Sequence, residues 1–261
     1  MIRLIATDLD DTILPEGTFD LNPEYYEVIR ELRRKGILFV ASSGRHASSI
    51  LRLFDCVKDD VVILAGNGSL VLYQGKVIDS RELDHALYLE VLEEMRKAGP
   101  SLILTDHPEC VWTDTDREDM IHWIRDGYRV RLGQCEDIAK LPSPILKVAM
   151  LLEEDAVQEA SVMRARIAGR ANVMAAGARW VDVVANDADK GTALSKIQAI
   201  FGISREETAA FGDNGNDIGM LELAGTSYAV ENARPQVKAV AGEVIGPMQE
   251  DAVLKILKRW V

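Results

Sequence analysis

Leu4-Ile5-Ala6-Thr7-Asp8-Leu9-Asp10-Asp11-Thr12 sets the terms for reading the whole chain. A short apolar run, Leu4 to Ala6, gives way to three acids: Asp8, Asp10 and Asp11. Bounded apolar runs of this length fit strands buried on both faces of a parallel sheet. Acids at the carboxyl end of such a strand occupy the place where open α/β sheets bind ligands. If the backbone stays extended, Asp8 and Asp10 point the same way, because strand side chains repeat every second residue. Two carboxylates side by side raise each other's pKa, and a cation between them relieves the repulsion. The plainer alternative is a strand followed by a solvated acidic turn. The rest of the chain separates the two.

The residues that follow repeat the pattern. Asn22-Pro23 reads as a helix cap with proline at the first position. Tyr25, Val28, Ile29 and Leu32 form an apolar stripe at helical spacing, closed by Gly36. Ile37 to Ala41 is a second apolar strand, ending in Ser42-Ser43-Gly44-Arg45. A helix is expected from Ala47 to Phe54. A third strand, Val61 to Ala65, ends in Gly66-Asn67-Gly68-Ser69. Strands and helices alternating in this way imply a parallel sheet with right-handed crossovers. All three strand ends then share one rim.

After a small hairpin around Gln74-Gly75 the rhythm changes. A helix from Leu83 to Ala98 is followed by short strands (102–105, 111–113, 146–152, 173–175, 180–184). Helices are expected among them, near 117–125 and 156–167. Runs of strands with two helices suggest an inserted α+β module. The alternation resumes at Lys190-Gly191. A helix covers 192–201, a strand 208–211, and then comes Gly212-Asp213-Asn214-Gly215-Asn216-Asp217. The expected fold class is therefore α/β: a Rossmann-like parallel core from residues 1–82 and 186–261, carrying an α+β cap at 83–185.

The chain has 261 residues, is 48% hydrophobic and carries a net charge of -12. That length and composition support a sizeable core. The negative balance argues against a nucleic-acid or anionic-membrane partner. Any phosphate would need a local positive site. Cys56, Cys110 and Cys135 form no paired motif, which fits reduced thiols in a cytoplasmic setting. No apolar segment is long enough to span a bilayer. The expected assembly is a monomer or a small homo-oligomer.

Four strand-end sites stand in order: Asp8 with Asp10, Ser43-Gly44-Arg45, Lys190, and Asp213 with Asn216 and Asp217. Each alone has a dull explanation: a turn, a solvated lysine, a Gly/Asn/Asp loop. Together they resemble the four motifs of the haloacid dehalogenase-like hydrolases. The chain is most similar to the branch of Cof-like sugar-phosphate phosphatases, which carry a large α/β cap between the second and third motifs. Asn67-Gly68 and Glu231-Asn232-Ala233 also resemble that branch.

The resemblance implies a phosphatase acting on a small phosphorylated metabolite such as a sugar phosphate. Phosphomonoester hydrolysis needs a nucleophile, a proton donor and neutralisation of phosphoryl charge. Asp8 would attack phosphorus and form an aspartyl-phosphate. Asp10 would protonate the departing oxygen and then activate water. Related dehalogenases lack a carboxylate at the Asp10 position, so its presence favours phosphoryl transfer. Oxygen-only donors select a hard cation, Mg²⁺ rather than Zn²⁺. The resemblance places its ligands at Asp8, the backbone carbonyl of Asp10, and Asp213, with Asn216 and Asp217 supporting them. Ser43, the Gly44 amide, Asn67 and Asn216 are expected at the phosphate or substrate. Arg45 joins them or ties down its loop. Lys190 would neutralise both Asp8 and the phosphate. The cap would select the leaving group, with Arg179, Trp180, His107 and Trp112 as candidate contacts. Asp187 and Asp189 read as part of a solvated linker.

Two alternatives remain. A phosphomutase of the phosphomannomutase type would need several cap cations for a second phosphate, and Arg164, Arg166, Arg170 and Arg179 are available by number. A non-catalytic phosphate-binding or receiver-like module would not need the full set of Asp8, Asp10, Lys190 and Asp213. A receiver also leaves no room for a cap.

Overall fold

The N-terminal apolar run forms a strand, β1 (Leu4–Asp8), with every residue buried. The computed structural model describes residues 1–176 and 179–261. Helix α1 (Glu24–Arg34) buries Tyr25, Val28, Ile29 and Leu32 along one face. Each such side chain contributes about 1.5–3 kcal/mol relative to exposure. Asn22 starts this helix by accepting the Glu24 N–H at 3.0 Å. Strand β2 (Leu38–Ser42) and helix α2 (Ala47–Leu53) follow, then β3 (Val61–Ala65). The antiparallel β4 (Leu70–Tyr73) and then β5 (Lys76–Ser80) close this half.

The middle of the chain forms helix α3 (His85–Lys97), strands β6 (Leu102–Asp106) and β7 (Val111–Thr113), and the short helix α4 (Glu118–His122). Next come β8 (Leu132–Gln134), β9 (Lys147–Leu151), α5 (Ala156–Ile167), β10 (Ala171–Ala176) and β11 (Trp180–Ala185). The last part contains α6 (Lys190–Phe201), β12 (Thr208–Gly212), α7 (Ile218–Leu223), β13 (Thr226–Ala229), α8 (Pro235–Val240), β14 (Glu243–Val244) and α9 (Ala252–Leu257).

The chain divides into two compact units. The first comprises Met1–Arg45, Ile50–Asp79 and Asp189–Val261. Its sheet has the order β14-β13-β12-β1-β2-β3-β4-β5. Strands β14 through β3 in that order run parallel, so their carboxyl ends share an edge. β1 lies near the middle, with Leu4 opposite both Leu38 and Thr208. The fold is the α/β class expected, with a parallel core. Its central strands read as unbroken apolar runs because helices cover both faces.

The second unit comprises His46–Ser49 and Ser80–Ala188. Its sheet has the order β10-β11-β9-β6-β7-β8 and is mostly antiparallel. Tyr88, Val91 and Met95 of α3 and Ala160, Met163 and Ile167 of α5 form one core with Val148, Met150, Val181 and Val183. A separate cluster places Leu102, Leu104, Ala149 and Leu151 with Ile124 and Val130. Trp180 packs there too, stacked on Trp123 with ring centroids 6.2 Å apart.

Candidates for the cap's substrate contacts are engaged inside this unit. Trp180 donates to Tyr128, Arg179 donates to the Leu152 carbonyl, and His107 packs edge-on against Trp112. A buried charge cluster went unread in the sequence. Lys147 lies 3.5 Å from Asp106 and 3.4 Å from Asp182 across β6, β9 and β11. The stretch Lys147-Val148-Ala149-Met150-Leu151 sets a single charge ahead of four apolar residues, and one strand cannot show which neighbours it meets.

The segment before Lys190 differs from a plain solvated linker. Asp187 is exposed but pairs with the buried Arg81 at 3.0 Å. Asp189 caps α6 by accepting the Thr192 N–H at 2.8 Å. An aspartate three residues ahead of a helical threonine is an N-cap signal, and it fixes where Lys190 begins the helix.

Candidate active site

β1, β2 and β12 deliver their last residues to one place because they are adjacent and parallel. Asp8 ends β1, and Lys190 opens α6. Asp213 follows β12 directly, and Asp217 closes the single 3-10 turn after it. Lys190 is fully buried, and its Nζ donates to Asp8 Oδ1 and, at 2.6 Å, to Asp217 Oδ1. A lysine in that position is a wedge between two carboxylates that would otherwise repel.

Asp217 has a second task. Its Oδ2 accepts the backbone N–H groups of Asp213 and Asn214, each at 3.0 Å. The Gly212-Asp213-Asn214 turn is therefore held from inside by the carboxylate that also faces Lys190. Gly212 is required for this approach. A Cβ there would lie 2.5 Å from the Asp217 Cβ. Thr12 Oγ1 lies 3.2 Å from Asp8 Oδ2 and 3.1 Å from Asp213 Oδ1, sharing one proton between two acids. Thr12 was not singled out from the sequence, although it stands inside the first motif.

Asp10 lies close enough to Asp8 to help raise its carboxyl, as expected, and its own carboxylate is held by a cation. β1 stops at Asp8, and the backbone then turns: the N–H groups of Thr12, Ile13 and Leu14 all point to the Leu9 carbonyl. Asp11 takes a left-handed conformation at φ 57. The turn sends the Asp10 carboxylate to Arg45, with Nε 2.9 Å from Oδ2 and Nη2 2.5 Å from Oδ1. Asn232 braces the turn by donating to the Asp11 carbonyl at 2.7 Å.

On the β2 and β3 ends, Ser43 is buried and its Oγ accepts the Arg45 N–H at 3.1 Å. Asn67 is left-handed at φ 57, with its N–H on the Ser43 carbonyl. Asn216 Nδ2 donates to Asn67 Oδ1 at 2.9 Å. A Cβ on Gly44 would come within 3.0 Å of Asn67 Oδ1, so glycine keeps the Gly44 backbone close to that amide. The second and fourth motifs are thus joined through Asn67.

Electrostatics single out the carboxylates. Burial pushes the Asp8 carboxyl well above its usual range; Asp217 adds to this and Lys190 opposes it. Burial, then Asp217, raises Asp213 to about 7. Burial pulls Lys190 down, but Asp217 and Asp8 outweigh it and hold the ammonium charged. Asp8, Asp213 and Asp217 each present a ligand oxygen, and these oxygens lie within 4.8 Å of one another. One ammonium facing three buried acids leaves a deficit of positive charge. An all-oxygen donor set of this size fits a hard divalent cation. The Asp10 carboxylate lies outside this trio, and Asp217 lies inside it.

The raised Asp213 carboxyl has a measurable consequence without metal. Its folded form holds a proton more tightly than the unfolded chain. Its contribution to stability is complete below about pH 4 and is lost as pH rises toward 7. In chelator, Asp213→Asn should gain stability relative to wild type across that window, as read by urea midpoints at pH 4.5 and 7.5. An unchanged difference between the two pH values would remove Asp213 from the apo pH dependence.

A family model described as haloacid dehalogenase-like hydrolase matches residues 5–257. The 5-amino-6-(5-phospho-D-ribitylamino)uracil phosphatase of Escherichia coli strain K12 is 26% identical over 261 residues, covering 99% of this chain and 96% of the relative. The HMP-PP phosphatase of Citrobacter koseri is 26% identical over 267 residues, covering 100% of this chain and 96% of the relative. Among solved structures, a protein of Eubacterium rectale superposes with a TM-score of 0.89 and 32% identity, covering 100% of this chain and 99% of the other.

Proposed function

We propose, from the premise that this chain belongs to the haloacid dehalogenase-like hydrolases, that it is a phosphatase releasing phosphate from a small phosphorylated metabolite. The observation that carries this reading is Lys190, buried between Asp8 and Asp217 and beside Asp213. An ammonium so placed opposes the upward shift that burial imposes on the nucleophilic carboxylate and offers charge to a phosphoryl group beside it.

In the first step an Asp8 oxygen attacks phosphorus and the bond to the leaving oxygen breaks. Asp10 gives that oxygen its proton, so an alcohol departs and an aspartyl-phosphate remains. In the second step water attacks phosphorus, Asp10 takes the water proton, and the acyl phosphate bond breaks to restore Asp8. Ser43, the Gly44 amide and Asn67 hold phosphoryl oxygens, with Asn216 setting the Asn67 amide. Asp8, Asp213 and the Asp10 backbone carbonyl would hold Mg²⁺, with Asp217 as the neighbouring carboxylate. The bound ion would supply the positive charge that the three acids lack and that a phosphate dianion needs.

The catalytic core is taken as residues 1–82 and 186–261, and residues 83–185 as the substrate-choosing cap. One relative's name, the ribitylamino-uracil phosphatase, supports a polyhydroxylated phosphate ester such as a sugar or ribityl phosphate as the substrate class, while another is named for HMP-PP. The phosphomutase alternative has less to draw on. Arg166 pairs with Glu94, Arg170 with Glu90, and Arg164 and Arg179 bond the Val173 and Leu152 carbonyls. Among the described residues no helix is long and apolar enough to cross a membrane. The three cysteines are free thiols, which supports a reducing, cytoplasmic setting.

The test is phosphate release from a panel of sugar, polyol, nucleotide and cofactor phosphates, with Mg²⁺ and then with EDTA. We expect metal-dependent release strongest for one class of ester, and loss of at least about 100-fold in EDTA. Phosphoryl exchange without net release would favour a mutase. Silence across the panel with any divalent metal would sink the hydrolase reading.

A further inference from the structure

We propose that Arg45 is a positioning residue for Asp10: it aims the proton donor, and it keeps one further donor for an oxygen of the phosphorylated substrate. The inference rests on the phosphatase reading above and deepens it.

Arg45 and Asp10 meet fork to fork, with Nε on Oδ2 at 2.9 Å and Nη2 on Oδ1 at 2.5 Å. Two parallel bonds fix the plane of a carboxylate, where one bond would leave it free to rotate. The Gly17 N–H adds a third bond to Oδ1, at 2.9 Å. The guanidinium is itself held. Nη2 donates to the Thr18 carbonyl at 2.9 Å, and the group lies 5.1 Å from the centroid of the Phe19 ring. The Arg45 side chain is 6% exposed, against 27% for Asp10. The arrangement is a buried clamp gripping a more open acid.

The clamp does not use up the guanidinium. Arg45 Nη1 is buried and has no hydrogen-bond partner among the described residues. Buried donors are seldom left unpaired unless a ligand completes them. An arginine fork suits phosphoryl or hydroxyl oxygens, and a lysine cannot reproduce it. The same side chain can then register the acid against the ester whose leaving oxygen it must protonate. A loop tie alone would account for the Thr18 bond but not for the bidentate grip on Asp10 or the spare Nη1.

The leaving group supplies the test. A p-nitrophenolate departs without a proton, whereas an alkoxide requires one. Arg45→Lys and the milder Phe19→Leu are compared with wild type in single-turnover formation of the phosphoenzyme. The substrates are p-nitrophenyl phosphate and the best alkyl phosphate of the panel. Arg45→Lys should slow the alkyl ester by about 100-fold and the aryl ester by only a few-fold. Phe19→Leu should shift the same ratio in the same direction, less strongly, which keeps the test alive if the lysine variant folds poorly. Asp10→Asn should show the same selectivity, and adding Arg45→Lys to it should cost the alkyl ester little more. Equal losses on both esters, or full additivity in the double variant, would overturn the proposal while leaving the phosphatase reading intact. Absence of an Asp8-dependent phosphoenzyme in wild type would overturn both.

Discussion

Asp8→Asn should abolish phosphate release, by about 10⁴-fold or more in kcat, in a protein that stays folded. The amide cannot attack phosphorus, and the carboxylates around it are held in other tasks, Asp213 by the Thr12 hydroxyl among them. Asp217 is committed to Lys190 and to two backbone N–H groups, and Asp10 to Arg45. The fold should tolerate the change well. Asp8 is buried among acids that raise its pKa, so removing its charge relieves repulsion from Asp217 and Asp213. Lys190 keeps one anionic partner. The thermal midpoint should therefore stay at or above the wild-type value in chelator. Turnover at more than a few per cent of wild type would reassign the nucleophile. A midpoint that fell sharply would show that the Asp8–Lys190 pair contributes more to stability than repulsion removes.

Lys190→Met reverses that balance. It is expected to cost about 3–5 kcal/mol, because two carboxylates are then buried without their cation. Activity should fall to background as well, since Lys190 is the cation paired with Asp8 among the described residues. Urea unfolding in chelator reads the first effect and phosphate release the second. Adding Asp8→Asn to Lys190→Met should recover part of the lost stability by removing one of the stranded charges. Such non-additivity is the mark of residues in direct contact. Two independent losses that simply sum would mean that the three groups do not act as a unit.

The core architecture was legible because each central strand is a short apolar run ending in small polar residues. That pattern survives in sequence when both faces of a sheet are covered. Asp8, Ser43, Lys190 and Asp213 were legible for the same reason: each sits at a strand end or helix start, and topology alone brings those ends together. The orientation of Asp10 was hidden. It depends on the turn through Leu9 and Asp11, which sets the carboxylate on Arg45 while it still bears on Asp8. The place of Asp217 inside the carboxylate trio was hidden too, because a residue four positions after Asp213 returns only through a 3-10 turn. Thr12 showed nothing beyond its place in the motif. Lys147 with Asp106 and Asp182 could not be foreseen, since their meeting is set by strand register across distant segments.

The first strand finds its neighbour very late in the chain. Leu4 to Thr7 lie against Thr208 to Phe211. On a ribosome adding roughly 5–20 residues per second, β1 waits about ten seconds or more for β12. Until Lys190 and Asp213 emerge, Asp8 is a carboxylate without its lysine and without its late-made carboxylate neighbours. The inserted unit, contiguous but for a few residues, has its own core to fold around during that interval. The carboxylate cluster therefore assembles only after Lys190, Asp213 and Asp217 have emerged, and a nascent chain released before them carries Asp8 without its ammonium partner.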